Sequence, residues 1–296
     1  MTKNPSPLSV AVLGTGLIGA GVARNLARKG FSVRAWNRTS DKAQALTTDG
    51  IEVFDHAADT VREADIVVTV LKDGPAVHDA LAAALPGIGK GTVWLQLSTV
   101  GIEAIDALAA LAEDNGLVFY DAPVQGTRQP AEQGKLVILA SGPETGRSLA
   151  QSVFDAIGQR TLWVSESPGA SSRLKLALNA YVFALTHGTA ESLAIAKALG
   201  VDPALVVDAV TGGPLDSGYF QGKAAAMLKG DFTASFSVFN GVKDARLVLE
   251  ALHGTGLYAD LAHAGLVRFQ RLAEAGHGDK DIAASFLGDA LDRDHA

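Results

Sequence analysis

Short apolar runs alternate with longer amphipathic stretches through the first half of the chain. The runs are rich in Val, Ile and Leu, which favours strands, whereas the stretches of about ten residues between them favour helices. The predicted strands are Val10–Leu13, Phe31–Trp36, Ile51–Phe54, Ala64–Leu71, Val93–Leu97, Leu117–Tyr120, Leu136–Ala140 and Thr161–Val164. The predicted helices include Gly21–Lys29, Ala76–Leu85, Glu103–Asn115 and Glu144–Ile157. This alternation predicts an α/β domain with a mostly parallel sheet that helices cover on both faces.

The pattern changes after Val164, where we find only helical patterns and turns. A mostly apolar run of about thirty residues predicts one long helix, with Ser167 as N-cap, Pro168 at the first helical position and Gly200 as the stop. Four further helices are predicted at Pro203–Val210, Ser217–Leu228, Val242–Thr255 and Tyr258–Ala275. We therefore predict an α/β domain over residues 1–166 and an all-helical domain over residues 167–296, linked by the long helix.

The composition excludes several classes of protein. Hydrophobic residues make up 48% of the 296 residues, which excludes a disordered chain. A net charge of −7 without a basic block argues against nucleic acid or a membrane surface as a partner. The longest apolar run, residues 8–23, is short for a membrane span, and the amino-terminal residues are expected to be a disordered lead-in without a signal sequence. The absence of cysteine agrees with a cytoplasmic protein.

A glycine-rich motif directly follows the first predicted strand. It reads Gly14-Thr15-Gly16-Leu17-Ile18-Gly19 and opens the first predicted helix. In this context Gly14 permits a tight turn, Gly16 lets the backbone approach a pyrophosphate, and Gly19 lets helix and strand pack closely. The helix N-terminus adds amide donors and partial positive charge. An ordinary glycine-rich turn is the alternative, but the strand–turn–helix setting favours a Rossmann dinucleotide-binding domain.

The end of the second predicted strand indicates which dinucleotide is bound. An NAD-binding domain usually carries an acidic residue there, which accepts a hydrogen bond from the ribose 2′-hydroxyl. Here the strand ends in Asn37, Arg38 and Thr39, with no acidic residue. The Arg38 guanidinium can pair with a 2′-phosphate, and Asn37 and Thr39 can add hydrogen bonds. We therefore predict NADP as the preferred cofactor over NAD, with a solvated surface arginine as the alternative for Arg38.

The long helix carries two polar residues in an apolar setting. Lys175 and Asn179 are four residues apart and so lie on one face of the helix. Considered alone, Lys175 could extend its ammonium group to water along the apolar surface. The alternative is that the lysine takes part in chemistry.

Four motifs resemble those of the β-hydroxyacid dehydrogenase family, and together they cover nearly the whole chain. They are the glycine-rich motif at residues 14–19, Asp121-Ala-Pro-Val-Gln-Gly126, Gly169-Ala-Ser-Ser-Arg-Leu-Lys175-Leu-Ala-Leu-Asn179, and Val242-Lys243-Asp244. The resemblance implies hydride transfer between NADP(H) and a small β-hydroxy acid or semialdehyde. It also implies that Lys175 is the general acid/base, that Asn179 holds the substrate oxygen or the lysine, and that Lys243 approaches the cofactor.

Residues that follow two buried strands are further candidates for the site. Ser98 and Thr99 match a family Ser-Thr pair near the substrate and the nicotinamide, and Leu71 and Lys72 are expected to line the nicotinamide ribose. These residues follow strands at the sheet edge where α/β folds bind ligands. Capping of the next helix is the alternative for Ser98 or Thr99.

The expected substrate loop departs from the family pattern. Gln125, Gly126 and Thr127 stand where the family has Ser-Gly-Gly, and Arg128 follows them. Gln125 and Thr127 can still donate hydrogen bonds, and Arg128 either clamps a substrate carboxylate or points to solvent. Ser171 replaces the second glycine of the catalytic-helix motif. The exact substrate is therefore left open.

The sequence as a whole predicts an NADP-preferring oxidoreductase with a small-molecule substrate and no metal. An imine reductase is the first alternative, although Lys175 argues against it because those enzymes usually carry Asp or Tyr at that position. A non-catalytic NADP-binding protein is the second. The long apolar helix favours a homodimer or homotetramer.

Overall fold

A nine-stranded sheet frames the first half of the chain in the computed structural model, which describes residues 7–294. Its strands are β1 (Ser9–Leu13), β2 (Ser32–Trp36), β3 (Glu52–Val53), β4 (Ile66–Thr69), β5 (Val93–Gln96), β6 (Val118–Asp121), β7 (Val124–Gln125), β8 (Leu136–Ser141) and β9 (Gly158–Ser165). The order is β3-β2-β1-β4-β5-β6-β8-β7, and β9 also pairs with β8. Strands β1 to β6 are parallel, whereas β8 is antiparallel to β6 and β7.

Seven helices lie along the part of the chain that forms this sheet. They are α1 (Gly19–Arg28), α2 (Ser40–Gln44), α3 (Ala57–Val61), α4 (Gly74–Ala84), α5 (Ile102–Asp114), α6 (Arg128–Glu132) and α7 (Arg147–Ile157). Alternate residues of β1 enter different cores: Val10 and Val12 pack with residues of α1 and α7, and Ala11 and Leu13 pack with residues of α3 to α5. Because the strand is buried on both faces, its apolar run is continuous. The predicted sheet covered on both faces is confirmed.

The second half of the chain is helical. It contains α8 (Ala170–Ala198), α9 (Ala204–Val210), α10 (Gly218–Lys229), α11 (Val238–Glu250) and α12 (Asp260–Leu272), followed by a π-helical turn at Ala273–His277 and 3-10 turns over Ile282–Asp294. Phe183, Val238 and Phe269 are buried together in one apolar cluster. Lys223 and Asp281 form a buried ion pair of 2.5 Å in the same half. The described residues confirm the predicted all-α part of the fold and the long helix between the two parts.

The predicted start of the long helix is wrong. The helix α8 begins at Ala170 rather than at Pro168, and Ser167 is not its cap. Gly169 has a φ of +95°, which breaks the helical path between Pro168 and Ala170. The predicted stop is confirmed, because α8 ends at Ala198 and Gly200 has a φ of +76°.

Some boundaries and short elements also differ from prediction. The sequence pattern did not indicate β7, α2, α3 or α6, which are two to five residues long. Helix α11 begins at Val238 instead of Val242, because the Ser237 hydroxyl accepts a hydrogen bond from the Asn240 amide and starts the helix earlier.

The chain divides into two compact units, residues 1–175 and 176–296, and α8 belongs to both. The predicted domain division at residues 166 and 167 remains a prediction. Within the described residues, none of the helices combines the length and the apolar character needed to cross a membrane. Residues 1–6, where most of the predicted lead-in falls, lie outside the described residues.

Candidate active site

The glycine-rich loop after β1 has the geometry of a dinucleotide-binding turn. Gly14 has a φ of +105°, and a Cβ atom there would lie 2.2 Å from the Val70 carbonyl oxygen. A Cβ atom at Gly19 would lie 2.0 Å from the Gly14 carbonyl oxygen. At Gly16 a Cβ atom would meet nothing within 4 Å, so this part of the loop is open to a close ligand. Gly14 and Gly19 therefore have the tight turn and the close packing predicted for them, and the approach of a pyrophosphate at Gly16 remains a prediction.

Thr15 supplies a second sign that the loop fits a pyrophosphate. Its backbone amide donates to Asn37 Oδ1 at 3.0 Å. Its side chain is only 4% exposed, and within residues 7–294 its Oγ1 has no hydrogen-bond partner. A buried hydroxyl without a partner is costly unless a ligand or water completes it. Leu17 is exposed on the same loop, and Ile18 packs against the core under α1.

Asn37 and Arg38, which follow β2, differ in their hydrogen bonding and exposure. Asn37 is engaged at both ends of its amide, because Nδ2 also donates to the Thr39 carbonyl oxygen at 2.9 Å. Arg38 is exposed, and no side-chain partner is found for it in the described part of the chain. Asn37 thus joins the glycine-rich loop to the end of β2, and the exposed Arg38 follows it. The predicted 2′-phosphate contacts of Asn37, Arg38 and Thr39 remain predictions.

Ser98 joins the loops that follow β4 and β5. Its Oγ accepts a hydrogen bond from the Leu71 amide at 2.8 Å. The buried Gln96 side chain accepts from the Ser98 amide at 2.6 Å and donates to the Ser98 carbonyl at 2.9 Å, which fixes the Ser98 backbone. The N-cap of α5 is Gly101, without a side-chain hydrogen bond, so the capping alternative is wrong. Lys72 is exposed and Thr99 is half-buried beside these two residues.

The predicted substrate loop follows β6 and contains two short elements. Gln125 is half-buried in β7. Gly126 has a φ of +127°, and a Cβ atom there would lie 2.8 Å from Leu136 Cδ2, so glycine is required by the turn. Thr127 precedes α6, and Arg128 is the first residue of that helix. Arg128 is exposed and its Nε lies 2.8 Å from Glu132 Oε1, so its guanidinium is engaged by a carboxylate of its own helix.

Lys175 lies in the second turn of α8 and is 8% exposed. The start of α8 is held by Asp121, whose Oδ2 accepts from the Gly169 and Ser172 amides at 3.1 and 2.8 Å. The Ser172 hydroxyl donates to Asp121 Oδ1 at 2.8 Å. Burial raises the pKa of Asp121 to about 6, although the hydrogen bonds from Ser172 and Gly169 and the nearby Arg173 lower it. The sequence indicated Asp121 only as part of a motif.

A second group of polar residues lies in the unit of residues 176–296. Asn179 Nδ2 donates to Asp244 Oδ2 at 3.0 Å, and Lys243 Nζ lies 2.6 Å from Asp244 Oδ1. Asn179 and Asp244 are 4% and 2% exposed. Asp244 therefore links two predicted site residues, and its place beside Lys243 in the fourth motif was the only sequence signal for it.

Most of the predicted site residues before α8 lie in loops that directly follow strands of the sheet. The loops after β1, β2, β4, β5 and β6 start at the carboxyl ends of parallel strands and so share one edge of the sheet, where open α/β sheets bind ligands. Among the side chains that the structure describes, no group of three or more His, Asp or Glu is arranged to hold a metal ion.

A Rossmann domain with this loop, followed by a helical domain, defines an NAD(P)-dependent oxidoreductase. The model for the NAD-binding domain of 6-phosphogluconate dehydrogenase matches residues 9–165. The model described as NAD-binding of NADP-dependent 3-hydroxyisobutyrate dehydrogenase matches residues 169–286. The chain belongs to this 6-phosphogluconate and 3-hydroxyisobutyrate dehydrogenase family.

Individual proteins agree with this assignment. Glyoxylate/succinic semialdehyde reductase 1 of Arabidopsis thaliana is 27% identical over 280 residues, which cover 94% of this chain and 96% of the relative. The crystal structure of 3-hydroxyisobutyrate dehydrogenase from Salmonella typhimurium superposes with a TM-score of 0.88 at 25% identity, covering 95% of this chain and 99% of that one. An imine reductase from Myxococcus stipitatus in complex with NADP+ shares the fold at a lower TM-score of 0.65 and 23% identity, over 95% of this chain and 100% of that one.

These similarities confirm several predictions made from the sequence. They confirm the resemblance to the β-hydroxyacid dehydrogenases and an oxidoreductase activity on CH–OH groups. They also confirm that the cofactor is a nicotinamide dinucleotide, NADP or NAD.

Proposed function

We propose that the protein is an NADP-preferring reductase of a small semialdehyde or keto acid, and a dehydrogenase of the matching β-hydroxy acid in reverse. The observation that carries the proposal is a buried lysine, Lys175, in a helix whose first turn is fixed by Asp121. Glyoxylate and succinic semialdehyde, which the name of the Arabidopsis relative gives, represent the substrate class.

In this proposal Lys175 moves the proton that accompanies hydride transfer. NADP(H), when bound, would supply the hydride that the carbonyl carbon gains in the reduction, or accept the hydride that the alcohol carbon loses in the oxidation. The oxygen must then gain or lose a proton, and Lys175 Nζ donates it in the reduction and accepts it in the oxidation. A positioned acid/base of this kind typically contributes about 10²–10⁴-fold to the rate.

Asn179 orients the reacting oxygen or the lysine. A carboxylate accepts only, so the contact with Asp244 assigns Nδ2 of Asn179 to that side. Oδ1 is then the end that accepts a hydrogen bond, from the substrate hydroxyl or from the lysine ammonium. Lys243, held by the same carboxylate, is proposed to approach the cofactor.

The remaining predicted residues bind cofactor and substrate. The glycine-rich loop and Thr15 bind the pyrophosphate, Arg38 pairs with the 2′-phosphate, and Leu71, Lys72 and Thr99 line the nicotinamide side. The substrate contacts proposed from the sequence are Ser98, Gln125, Gly126, Thr127 and Arg128. For Arg128 to clamp a carboxylate, its guanidinium must leave Glu132.

Steady-state assays with NADPH and NADH test the proposal. We expect turnover of glyoxylate or succinic semialdehyde, and a loss of about 10²–10⁴-fold in kcat for Lys175→Ala. Lys197→Ala removes an exposed lysine from the same helix and should leave kcat unchanged. Unchanged turnover in Lys175→Ala would exclude the acid/base role.

Two alternatives are separated by the same assays. An imine reductase would reduce a cyclic imine faster than the two aldehydes. A non-catalytic NADP-binding protein would bind NADPH yet turn over no member of an aldehyde and hydroxy acid panel.

We also propose that the protein forms a homodimer or homotetramer and that it is located in the cytoplasm. Exposed apolar side chains at the end of α8, in the segment that follows it and in α9 support self-association; they are Ile195, Leu199, Val201 and Leu205. Light scattering after size-exclusion chromatography would test the subunit number, and cell fractionation the location.

A further inference from the structure

The first turn of α8 is held by side chains from two neighbouring strands. Asp121, at the end of β6, accepts hydrogen bonds from the Gly169 amide and from both the amide and the hydroxyl of Ser172. Ser141, at the end of β8, accepts from the Ser171 amide at 3.1 Å, and the two serine hydroxyls lie 2.6 Å apart. We call Asp121, Ser141, Ser171 and Ser172 the helix-start cluster.

The helix-start cluster is anchored in the sheet. Asp121 and Ser141 face each other as the antiparallel pair that joins β6 to β8. Asp121, Ser141 and Ser171 are 0% exposed, and Ser172 is 3% exposed. Two acceptors on paired strand ends therefore fix the position and direction of the helix start, because buried, fully paired hydrogen bonds have one favoured arrangement.

The cluster also determines which groups remain for a ligand. The first amides of a helix have no partner within the helix and commonly bind anions. Here the amides of Gly169, Ser171 and Ser172 are already paired with protein oxygens. They are thus not the donors that hold a substrate carboxylate.

We propose that Asp121 and Ser141 are positioning residues for Lys175, which follows Ser172 by one helical turn in the same unit of the chain. They fix the helix start, and through it the place of the lysine side chain. The inference rests on the proposed acid/base role of Lys175. Ser171, which replaces a family glycine, supplies the second hydroxyl of the Ser141 pair, so this part of the anchor depends on the departure from the family pattern.

Asp121→Ala and Asp121→Asn test the proposal together. Alanine removes all three hydrogen bonds, and the displaced lysine should lower kcat by about 10²-fold, while the Kd for NADPH stays unchanged. Asparagine should retain most of kcat, because its oxygen can accept from both amides and its nitrogen can donate to the Ser172 hydroxyl. Ser152→Ala, a serine change on α7 away from the cluster, should alter neither quantity.

A double-mutant cycle separates positioning from general damage. If Asp121 acts through Lys175, Asp121→Ala should cause no further loss of kcat in the Lys175→Ala background. A full additional loss of kcat in that background would overturn the positioning role and leave the proposed function intact. A wild-type kcat for Asp121→Ala alone, beside an impaired Lys175→Ala, would do the same. Full turnover by Lys175→Ala would overturn both.

Ser141→Ala keeps the test decisive if Asp121→Ala does not fold. It leaves the Ser171 amide without its acceptor, and we expect a fall in kcat of about tenfold with unchanged NADPH binding. The double-mutant cycle is repeated with Ser141→Ala and Lys175→Ala. Additive losses of kcat would again overturn the positioning role.

Discussion

Asn179 and Asp244 are joined by a buried hydrogen bond of 3.0 Å, although 65 residues separate them in the chain. The same carboxylate pairs with Lys243 at 2.6 Å. A carboxylate shared between a neutral amide and an ammonium group fixes the orientation of both. Asp244 thus sets which end of the Asn179 amide can accept a hydrogen bond.

Removal of the Asp244 carboxylate should therefore impair catalysis. In Asp244→Ala, Asn179 can rotate and Lys243 loses its counter-charge, so we expect kcat to fall by about 10–100-fold. Steady-state kinetics of Asp244→Ala measures the effect. Glu250→Gln removes an exposed carboxylate from the same helix and should leave kcat unchanged. Equal kinetics for wild type and Asp244→Ala would contradict a role for this contact.

Arg38 should determine the preference for NADP. A hydrogen bond to a charged group is worth about 1.5–3 kcal/mol, so Arg38→Ala should raise the KM for NADPH by about 10–100-fold. The KM for NADH should hardly change, because NADH lacks the 2′-phosphate. Arg62→Ala, at an exposed arginine that pairs with Asp59, is the matched control. An undiminished preference for NADPH in Arg38→Ala would mean that another group binds the phosphate.

Local sequence patterns predicted the features that depend on local rules. The buried parallel strands were predictable because a strand covered on both faces needs a continuous apolar run, as residues 66–68 of β4 show. The glycine-rich loop was predictable because Gly14 and Gly19 leave no room for a Cβ atom. In both cases the sequence pattern lies within a short stretch of the chain, although the overlap at Gly14 is with the distant Val70.

Features set by contacts between distant residues were not predictable in the same way. Ser167 and Pro168 look like a helix start, yet the first turn of α8 is capped by Asp121, 51 residues before Ser172. The two-residue strand β7 is too short for any periodicity. The Arg128–Glu132 pair shows a further limit, since the sequence alone could not decide between a ligand and a neighbouring carboxylate as the partner of Arg128.

Gly14 and Gly16 should respond differently to alanine. In Gly14→Ala the positive φ and the overlap with the Val70 carbonyl should destabilise the protein by at least about 2 kcal/mol. Gly16→Ala places its methyl group in open space, so the melting temperature without cofactor should be retained while NADPH binding weakens. Thermal unfolding and fluorescence titration with NADPH measure the two effects. Similar losses of stability in both variants would contradict the assignment of Gly16 to ligand approach.

The buried carboxyl of Asp121 should make stability depend on pH in an unusual direction. Its pKa in the folded protein is about 6, above the ordinary value of 3.8, because burial disfavours the charged form. Between these values the folded state binds more protons than the unfolded state, so the contribution of Asp121 to the free energy of unfolding falls as the pH rises. That contribution is fully present below about pH 4 and is lost as the pH rises through about 6. The free energy of unfolding falls by roughly 3 kcal/mol at most over this range.

Asp121→Asn isolates this contribution because asparagine does not titrate and can keep the hydrogen bonds of the site. The free energy of unfolding of the wild type minus that of Asp121→Asn should decrease from pH 4 to pH 6 and stay level above that range. Urea unfolding of both proteins at matched pH values measures the difference, in which the titration of all other groups largely cancels. If the difference instead increases with pH, the Asp121 carboxylate is stabilised rather than disfavoured by its surroundings, and its pKa lies below the ordinary value.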